Sequence, residues 1–71
     1  MNRTPVKSSH LRSVGYDENT GILEVEFHDR RIYQYSNVPA SVYLGLMSAS
    51  SHGTYFDRHV IKAGYHGVQV F

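Results

Sequence analysis

The chain of 71 residues is 41% hydrophobic, 13% aromatic and 18% charged, with a formal net charge of +1. This composition is typical of one small globular domain and falls well short of that of a disordered chain. The absence of cysteine excludes disulfides and thiolate-bound zinc or iron, and no apolar run approaches the roughly 18 residues that cross a bilayer. Because the first residues also lack the apolar centre of a signal peptide, we expect a cytoplasmic protein without membrane association.

The first predicted hairpin follows a segment without periodicity. Residues 1–7 contain Pro5 and show no alternation, so we interpret them as a loose N-terminal arm and residues 8–71 as a single domain. The first strand is predicted over residues 8–16, where Gly15 permits either a β-bulge or a close approach by another backbone segment. The run from Asp17 to Gly21 then has the residue types of a turn.

The second predicted strand has the clearest alternation in the chain. Its apolar side chains occupy one face and its charged or polar side chains occupy the other: Leu23, Val25 and Phe27 against Glu24, Glu26 and His28. This pattern predicts a half-buried antiparallel strand whose glutamate face meets water.

Tyr33 and Tyr35 belong to a third predicted strand and leave the same face of the sheet. A two-residue loop at Asp29 and Arg30 would place both rings on the glutamate face. A five-residue loop, or a bulged loop of the same parity, would place them with Phe27 in the core. Neither loop residue is glycine, which disfavours the tight turn, so we predict the core side.

A helix is predicted from Pro39 to about Met47, because the residue before a proline favours an extended conformation and proline suits the first helical turn. The apolar side chains of this helix form one stripe: Val42, Tyr43, Leu46 and Met47. A second short helix follows, in which Phe56 and Val60 lie four positions apart and face inward. Gly64 ends this second helix.

The last seven residues alternate weakly and form a candidate strand at the sheet edge. Together the elements predict an α+β fold, an antiparallel sheet of three to four strands in the order β-β-β-α-α-β with two helices packed on one face. The residues expected to be buried are Leu23, Val25, Phe27, Val42, Leu46 and Phe56.

Several short motifs in a fixed order carry a resemblance to a known family: Val6-Lys7-Ser8-Ser9, Val14-Gly15-Tyr16-Asp17, Tyr33-Gln34-Tyr35 and Ser51-His52-Gly53-Thr54-Tyr55-Phe56. The chain resembles the KTSC domain, a module of this size found at the C-terminus of some lysyl-tRNA synthetases and as free-standing proteins. The resemblance implies a function connected with RNA, because the family accompanies a tRNA ligase. Two departures lower the positive charge around Gly53: His52 replaces a common lysine, and Asp57 replaces a common asparagine.

The candidate nucleic-acid-binding residues combine cations with aromatic rings: Arg30, Arg31, Tyr33, Tyr35, His52, Arg58 and Lys62. Bases stack on aromatic rings carried by sheets, and basic side chains neutralise phosphates. Five of the six acidic residues lie elsewhere, between positions 17 and 29. The competing interpretation places the tyrosines in the core and the cations on an ordinary solvated surface. It is the stronger one for both sets, because small cores use such rings for burial and because a chain with a net charge of +1 neutralises few phosphates.

The histidines and carboxylates give no catalytic or metal-binding signature. His52, His59 and His66 recur every seven residues, but Gly53 and Gly64 prevent them from sharing one helical face. We predict no cofactor, no metal and no enzymatic activity.

Three functions are compatible with these residues. The leading hypothesis is a small non-catalytic module that binds RNA or another nucleic acid. The second is a protein–protein interaction module acting through a sheet edge and exposed aromatics. The third is a small ribonuclease-like enzyme using His52 or His59 as acid and base beside Arg58. The pattern specifies neither the partner nor the oligomeric state.

Overall fold

The computed structural model describes residues 1–71 as a five-stranded antiparallel sheet with two helices between its last two strands. The strands are β1 (Thr4–Pro5), β2 (Leu11–Asp17), β3 (Ile22–Phe27), β4 (Ile32–Tyr35) and β5 (Gly67–Gln69). The helices are α1 (Ala40–Ser48) and α2 (His52–Phe56), and α2 continues into a π-helical turn at Asp57–Ile61. The predicted α+β class is confirmed, with five strands rather than three or four. None of the helices is long and apolar enough to cross a membrane.

The strands lie in chain order, β1-β2-β3-β4-β5, and each is antiparallel to its neighbours. The β2–β3 ladder is irregular between Leu11 and Ser13, so the bulge lies at Arg12 and not at Gly15. Gly15 instead permits the close approach of another backbone segment, since a Cβ atom there would lie 2.6 Å from the carbonyl oxygen of Asn2. Glycine at this position therefore lets the N-terminal segment pass close to β2.

The β3–β4 hairpin places both tyrosines of β4 on the helix side of the sheet. Phe27 N–H donates to Arg31 O at 2.9 Å, and Arg30, with φ 72°, closes a three-residue loop. Such loops pair a turn with one left-handed residue. Tyr33 therefore lies opposite Val25. The prediction that both rings face the core is confirmed. The loop has three residues instead of five, and because the two lengths differ by two residues they place the following side chains on the same face of the sheet.

The core lies between this face of the sheet and the helices. It comprises nine buried residues: Leu11, Val14, Leu23, Val25, Tyr35, Val38, Leu46, Phe56 and Val60. Four of the six predicted core residues are among them, whereas Phe27 and Val42 are half-buried. The Phe56 ring meets the rings of Phe27 and Tyr35 edge-on, at centroid distances of 5.7 and 5.5 Å.

The N-terminal arm is ordered by contacts with the opposite, outer face of the sheet. Thr4 pairs with Val14 in β2, and the Arg3 guanidinium donates to the Glu24 carboxylate and to Ser13 Oγ. Gln34 Nε2 donates to the second Glu24 oxygen at 2.8 Å, and Glu24 is only 6% exposed. The arm we expected to be loose thus covers a buried carboxylate, and the glutamate face is only partly open to water.

Candidate functional site

A cleft of roughly 800 Å³ lies between the segment that precedes β2 and the start of α2. Its rim is polar: it carries five hydroxyls (Ser8, Ser9, Ser50, Ser51 and Thr54), two imidazoles (His10 and His52) and three cations (Lys7, Arg58 and Lys62). Three apolar side chains also line it: Phe27, Phe56 and Ile61. A cleft with five hydroxyls and three cations is suited to an anionic ligand.

One wall of the cleft is a turn that its own side chain stabilises. Ser8 Oγ accepts hydrogen bonds from the N–H groups of His10 and Leu11, both at 3.2 Å. The ring nitrogen Nε2 of His28 lies 2.6 Å from the carbonyl oxygen of Ser8 and joins this turn to the end of β3. Lys7 and His10 are therefore carried by a fixed backbone rather than by a free chain end.

The other wall is the first turn of α2. Ser51 caps the helix by accepting from Thr54 N–H at 3.3 Å, and its hydroxyl also lies 2.9 Å from Thr54 Oγ1. His52 Nδ1 lies 2.8 Å from Leu46 O, and since a carbonyl only accepts, Nδ1 carries the proton. The two walls meet at Gly53, where a Cβ atom would be 3.5 Å from the Cβ of His10.

The cleft is electropositive because two of its cations have no acidic partner. The ion pairs of the protein involve Arg3, Arg31 and Lys62, so Lys7 and Arg58 form none. Lys62 Nζ lies 3.2 Å from Asp57 Oδ2, and Asp57 is the only carboxylate at the cleft. An incoming anion would meet Lys7 and Arg58 without displacing an internal partner.

The structure brings together three of the predicted binding residues and separates the other four. His52, Arg58 and Lys62 share the cleft. Arg30 and Arg31 are exposed at the tip of the β3–β4 hairpin, outside the cleft lining. Arg31 is also paired with Asp29, at 3.4 Å.

The two predicted tyrosines are engaged within the protein. Tyr35 is 4% exposed, and burial together with the neighbouring Tyr33 raises the pKa of its hydroxyl. Tyr33 is half-buried, meets the Phe27 ring edge-on at 5.7 Å and donates its hydroxyl to Gln69. Tyr35 offers no ring face to a base, as the core interpretation of these residues predicted.

Sequence reasoning did not single out Lys7, His10 or the hydroxyls, all of which line the cleft. The signal was available, because Lys7 and Ser8 lie in one of the motifs that carry the family resemblance and His52 and Gly53 lie in another. The sequence did not show that these two motifs lie in contact in the folded protein. His59, by contrast, packs on Tyr55 with ring centroids 4.2 Å apart and does not line the cleft.

The chain belongs to the KTSC domain family, whose model matches residues 7–65. The match begins at the lysine of the cleft and ends after α2 and the π-helical turn, so it contains every residue that lines the cleft.

Relatives and a solved structure agree with this assignment. An uncharacterized protein of Stutzerimonas stutzeri is 45% identical over 58 residues, which cover 82% of each chain. A protein of Tsukamurella paurometabola is 34% identical over 64 residues, covering 90% of this chain and 94% of its own. The crystal structure of a KTSC domain protein from Yersinia pestis superposes with a TM-score of 0.90 at 38% identity, covering 99% of this chain and 97% of that one.

Proposed function

We propose that this protein is a non-catalytic module that binds single-stranded RNA or another nucleic acid by holding its backbone phosphates in the cleft. The observation that carries the proposal is the meeting of Lys7 and Arg58, two cations without acidic partners, at one polar cleft. Most protein–nucleic acid hydrogen bonds go to phosphates and sugars, and lysine, arginine and serine or threonine hydroxyls supply them.

The aromatic residues support this function less than the cations do. Tyr35 is buried and Tyr33 is packed against Phe27, so these two predicted tyrosines do not form an open stacking platform. Recognition should therefore depend on phosphates and show little preference for base sequence.

Binding should be weak and should fall with salt on a shallow slope. The cleft has three cations, one of them already paired with Asp57. About two to three phosphate contacts, at roughly 0.7 per contact for single strands, give the expected slope of log K against log salt.

The test is an NMR titration with mixed single-stranded RNA and DNA at low salt. Amide shift changes are expected at residues 7–10 and 51–58, which form the two walls of the cleft. No residue-specific change with either polymer would reject nucleic-acid binding altogether. Fragmentation of the RNA during the titration would contradict the non-catalytic part of the proposal and favour the acid–base alternative, with His10 and His52 at the cleft.

A pair of charge-matched variants locates the contact. Lys7→Ala with Arg58→Ala removes two cations from the cleft, and Arg30→Ala with Arg31→Ala removes two from the hairpin tip. The cleft variant should lose about tenfold in affinity and flatten the salt slope, whereas the tip variant should change less. An equal or larger loss in the tip variant would move the contact from the cleft to the hairpin.

A further inference from the structure

The two edges of the sheet are protected to different degrees. At one edge, β1 has only two residues, and Pro5 lacks the backbone N–H that a further strand would need. At the other edge, residues 67–71 contain neither a proline nor a charged side chain, two of the features that block strand addition. The strand β5 is also short, with three residues, and it ends in a β-bulge where Val70 N–H and Phe71 N–H both donate to Ile32 O. The β5 edge is thus less protected than the β1 edge, and it is called the open edge below.

The backbone of Gln69 faces the open edge. Val70 N–H donates to Ile32 O at 2.8 Å, and Val68 lies opposite Gln34 in the same ladder. Hydrogen-bonded positions alternate along an antiparallel strand, so the N–H and C=O of Gln69 point away from β4. A neighbouring strand can pair with both groups.

The open edge also carries a concentration of exposed apolar surface. Of the six exposed large apolar side chains in the protein, three lie within four consecutive residues: Val68, Val70 and Phe71, at 52%, 49% and 73% exposure. Val68 and Val70 share the outer face of the sheet, because side chains alternate along the strand and Val68 lies opposite Gln34, whose amide reaches Glu24 there.

We propose that β5 pairs antiparallel with β5 of a second copy of this chain around a twofold axis at Gln69. In this register the two Gln69 backbones exchange two hydrogen bonds. Val68 of each copy then lies beside Val70 of the other on the outer face, an apolar cross-strand pair made twice. No charged side chain is brought into contact within residues 67–71, so the strand is complementary to itself.

The difference between the edges sets the size of the assembly. Each five-stranded sheet ends at β1 on its far side, where Pro5 and the short strand oppose further addition. The pairing therefore closes at two copies and does not propagate into a filament. The contact is small, so dissociation should occur at roughly 0.1–1 mM.

Sedimentation from roughly 10 µM to about 1 mM tests the association. The average mass should rise from that of the 8.1 kDa chain toward twice this value. Val68→Lys with Val70→Lys should remain monomeric over the same range. The matched control, Leu44→Lys with Ile61→Lys, adds the same charge at two other exposed apolar side chains and should dimerise like the wild type.

The register has its own test. In a dimer of labelled and unlabelled chains, intermolecular NOEs should connect the methyl groups of Val68 with those of Val70. Gln69→Pro, which removes an N–H that β4 does not use, should abolish the dimer while the intramolecular ladder remains visible. A wild type that stays monomeric at about 1 mM overturns the proposal. So do NOEs from another surface, or a Leu44→Lys with Ile61→Lys control that dissociates as readily as the β5 variant.

Discussion

Phe56 is the side chain that joins α2 to the sheet. It is 5% exposed, and its ring meets two sheet rings, those of Phe27 and Tyr35. Edge-to-face aromatic pairs add stabilisation beyond the area they bury. Because the Phe56 ring covers it, Tyr35 is packed in the core and is not accessible to a ligand.

Phe56→Ala should lower the free energy of unfolding by about 3–5 kcal/mol, because it removes a buried ring and leaves a cavity between helix and sheet. A loss of that size is comparable with the whole stability of a small domain, so the variant should be largely unfolded. Urea denaturation followed by circular dichroism measures it. The control, Phe71→Ala, changes a ring that is 73% exposed and should cost no more than about 0.5 kcal/mol at low protein concentration. Equal losses would place Phe56 outside the core.

Gly67→Ala should destabilise the protein although alanine is ordinarily tolerated in strands. A Cβ atom at Gly67 would overlap the Tyr35 ring, which is 4% exposed and has no room to turn away. We expect a loss of about 1–3 kcal/mol from overpacking, measured by the same denaturation. Gly53→Ala is the control, since its Cβ would lie at an ordinary 3.5 Å from His10 Cβ. If both variants were equally stable, the close packing of β5 on Tyr35 would be wrong.

Among the elements, β1 owes its place to one side chain more than to its own pairing. Two residues form too short a strand to be stable alone, and Arg3 holds the arm to the Glu24 carboxylate and Ser13. Burial by itself would raise the pKa of Glu24. The hydrogen bonds from Gln34 and Arg3, with the positive charges of Arg3 and the N-terminus, outweigh burial and hold this pKa below its ordinary value of 4.5.

This arrangement makes the stability depend on pH in one direction. The Glu24 pKa is lower in the folded than in the unfolded chain, so the ionised carboxylate stabilises the fold above the unfolded value of 4.5. That contribution is lost as the pH falls through the folded value. Glu24→Gln should therefore be less stable than the wild type at neutral pH, by about 1–3 kcal/mol.

The difference between the two proteins should shrink when urea denaturation is repeated below about pH 4. Glu18→Gln is the control, because Glu18 is an exposed acid of the first turn that forms no ion pair. A Glu24→Gln difference that stayed constant with pH would argue against an ionised, buried carboxylate.

The sequence indicates the elements with strong periodicity better than those defined by tertiary contact. The alternation of β3 and the absence of glycine at Asp29 and Arg30 favoured the core face for Tyr33 and Tyr35, but the sequence did not give the length of the loop. β1 could not be predicted, because two residues show no period and Pro5 argues against pairing. The bulge at Arg12 and the π-helical turn depend on backbone hydrogen bonds that leave no clear sequence signal.

The candidate site was predictable only in part, for a related reason. His52, Arg58 and Lys62 come from one continuous segment and could be grouped by proximity in the chain. Lys7 and His10 belong to the same cleft through folding alone, since the sheet must form before the segment preceding β2 reaches α2. Arg30 and Arg31 are adjacent cations in the sequence, but they lie at a hairpin tip outside the cleft, so residue type alone does not show which cations are grouped.

For the molecule as a whole, the positions of the acidic residues determine the charge at the cleft more than the net charge of +1 does. Arg3 contacts both Glu24 and Glu26 on the outer face, which neutralises part of the acidic strand. The cleft is left with three cations against Asp57. The protein therefore presents a positive site although the chain is nearly neutral.

Asp57→Asn should strengthen nucleic-acid binding, because it removes the only carboxylate of the cleft and releases Lys62. We expect a gain of about threefold to tenfold, the size of one exposed charge contact, and a slightly steeper salt slope. Asp29→Asn makes the same charge change beside Arg31 at the hairpin tip and should have a smaller effect. Fluorescence anisotropy with labelled RNA compares the two. A larger gain from Asp29→Asn would again favour the hairpin.

Because the two walls of the cleft meet only in the folded chain, the nucleic-acid binding proposed for the cleft should raise the thermal stability of the protein. An unfolded chain cannot hold Lys7 near Arg58, so a ligand of the cleft binds the folded state alone and must raise the melting temperature. At ten times its dissociation constant the ligand adds about 1.4 kcal/mol, and in a domain of this size each kcal/mol corresponds to roughly 4–8 °C. A thermal melt in the presence of RNA thus reports binding without a label. By the same linkage, a core variant such as Phe56→Ala would mimic a binding defect by depleting the folded population, so affinities are comparable only at equal folded fractions.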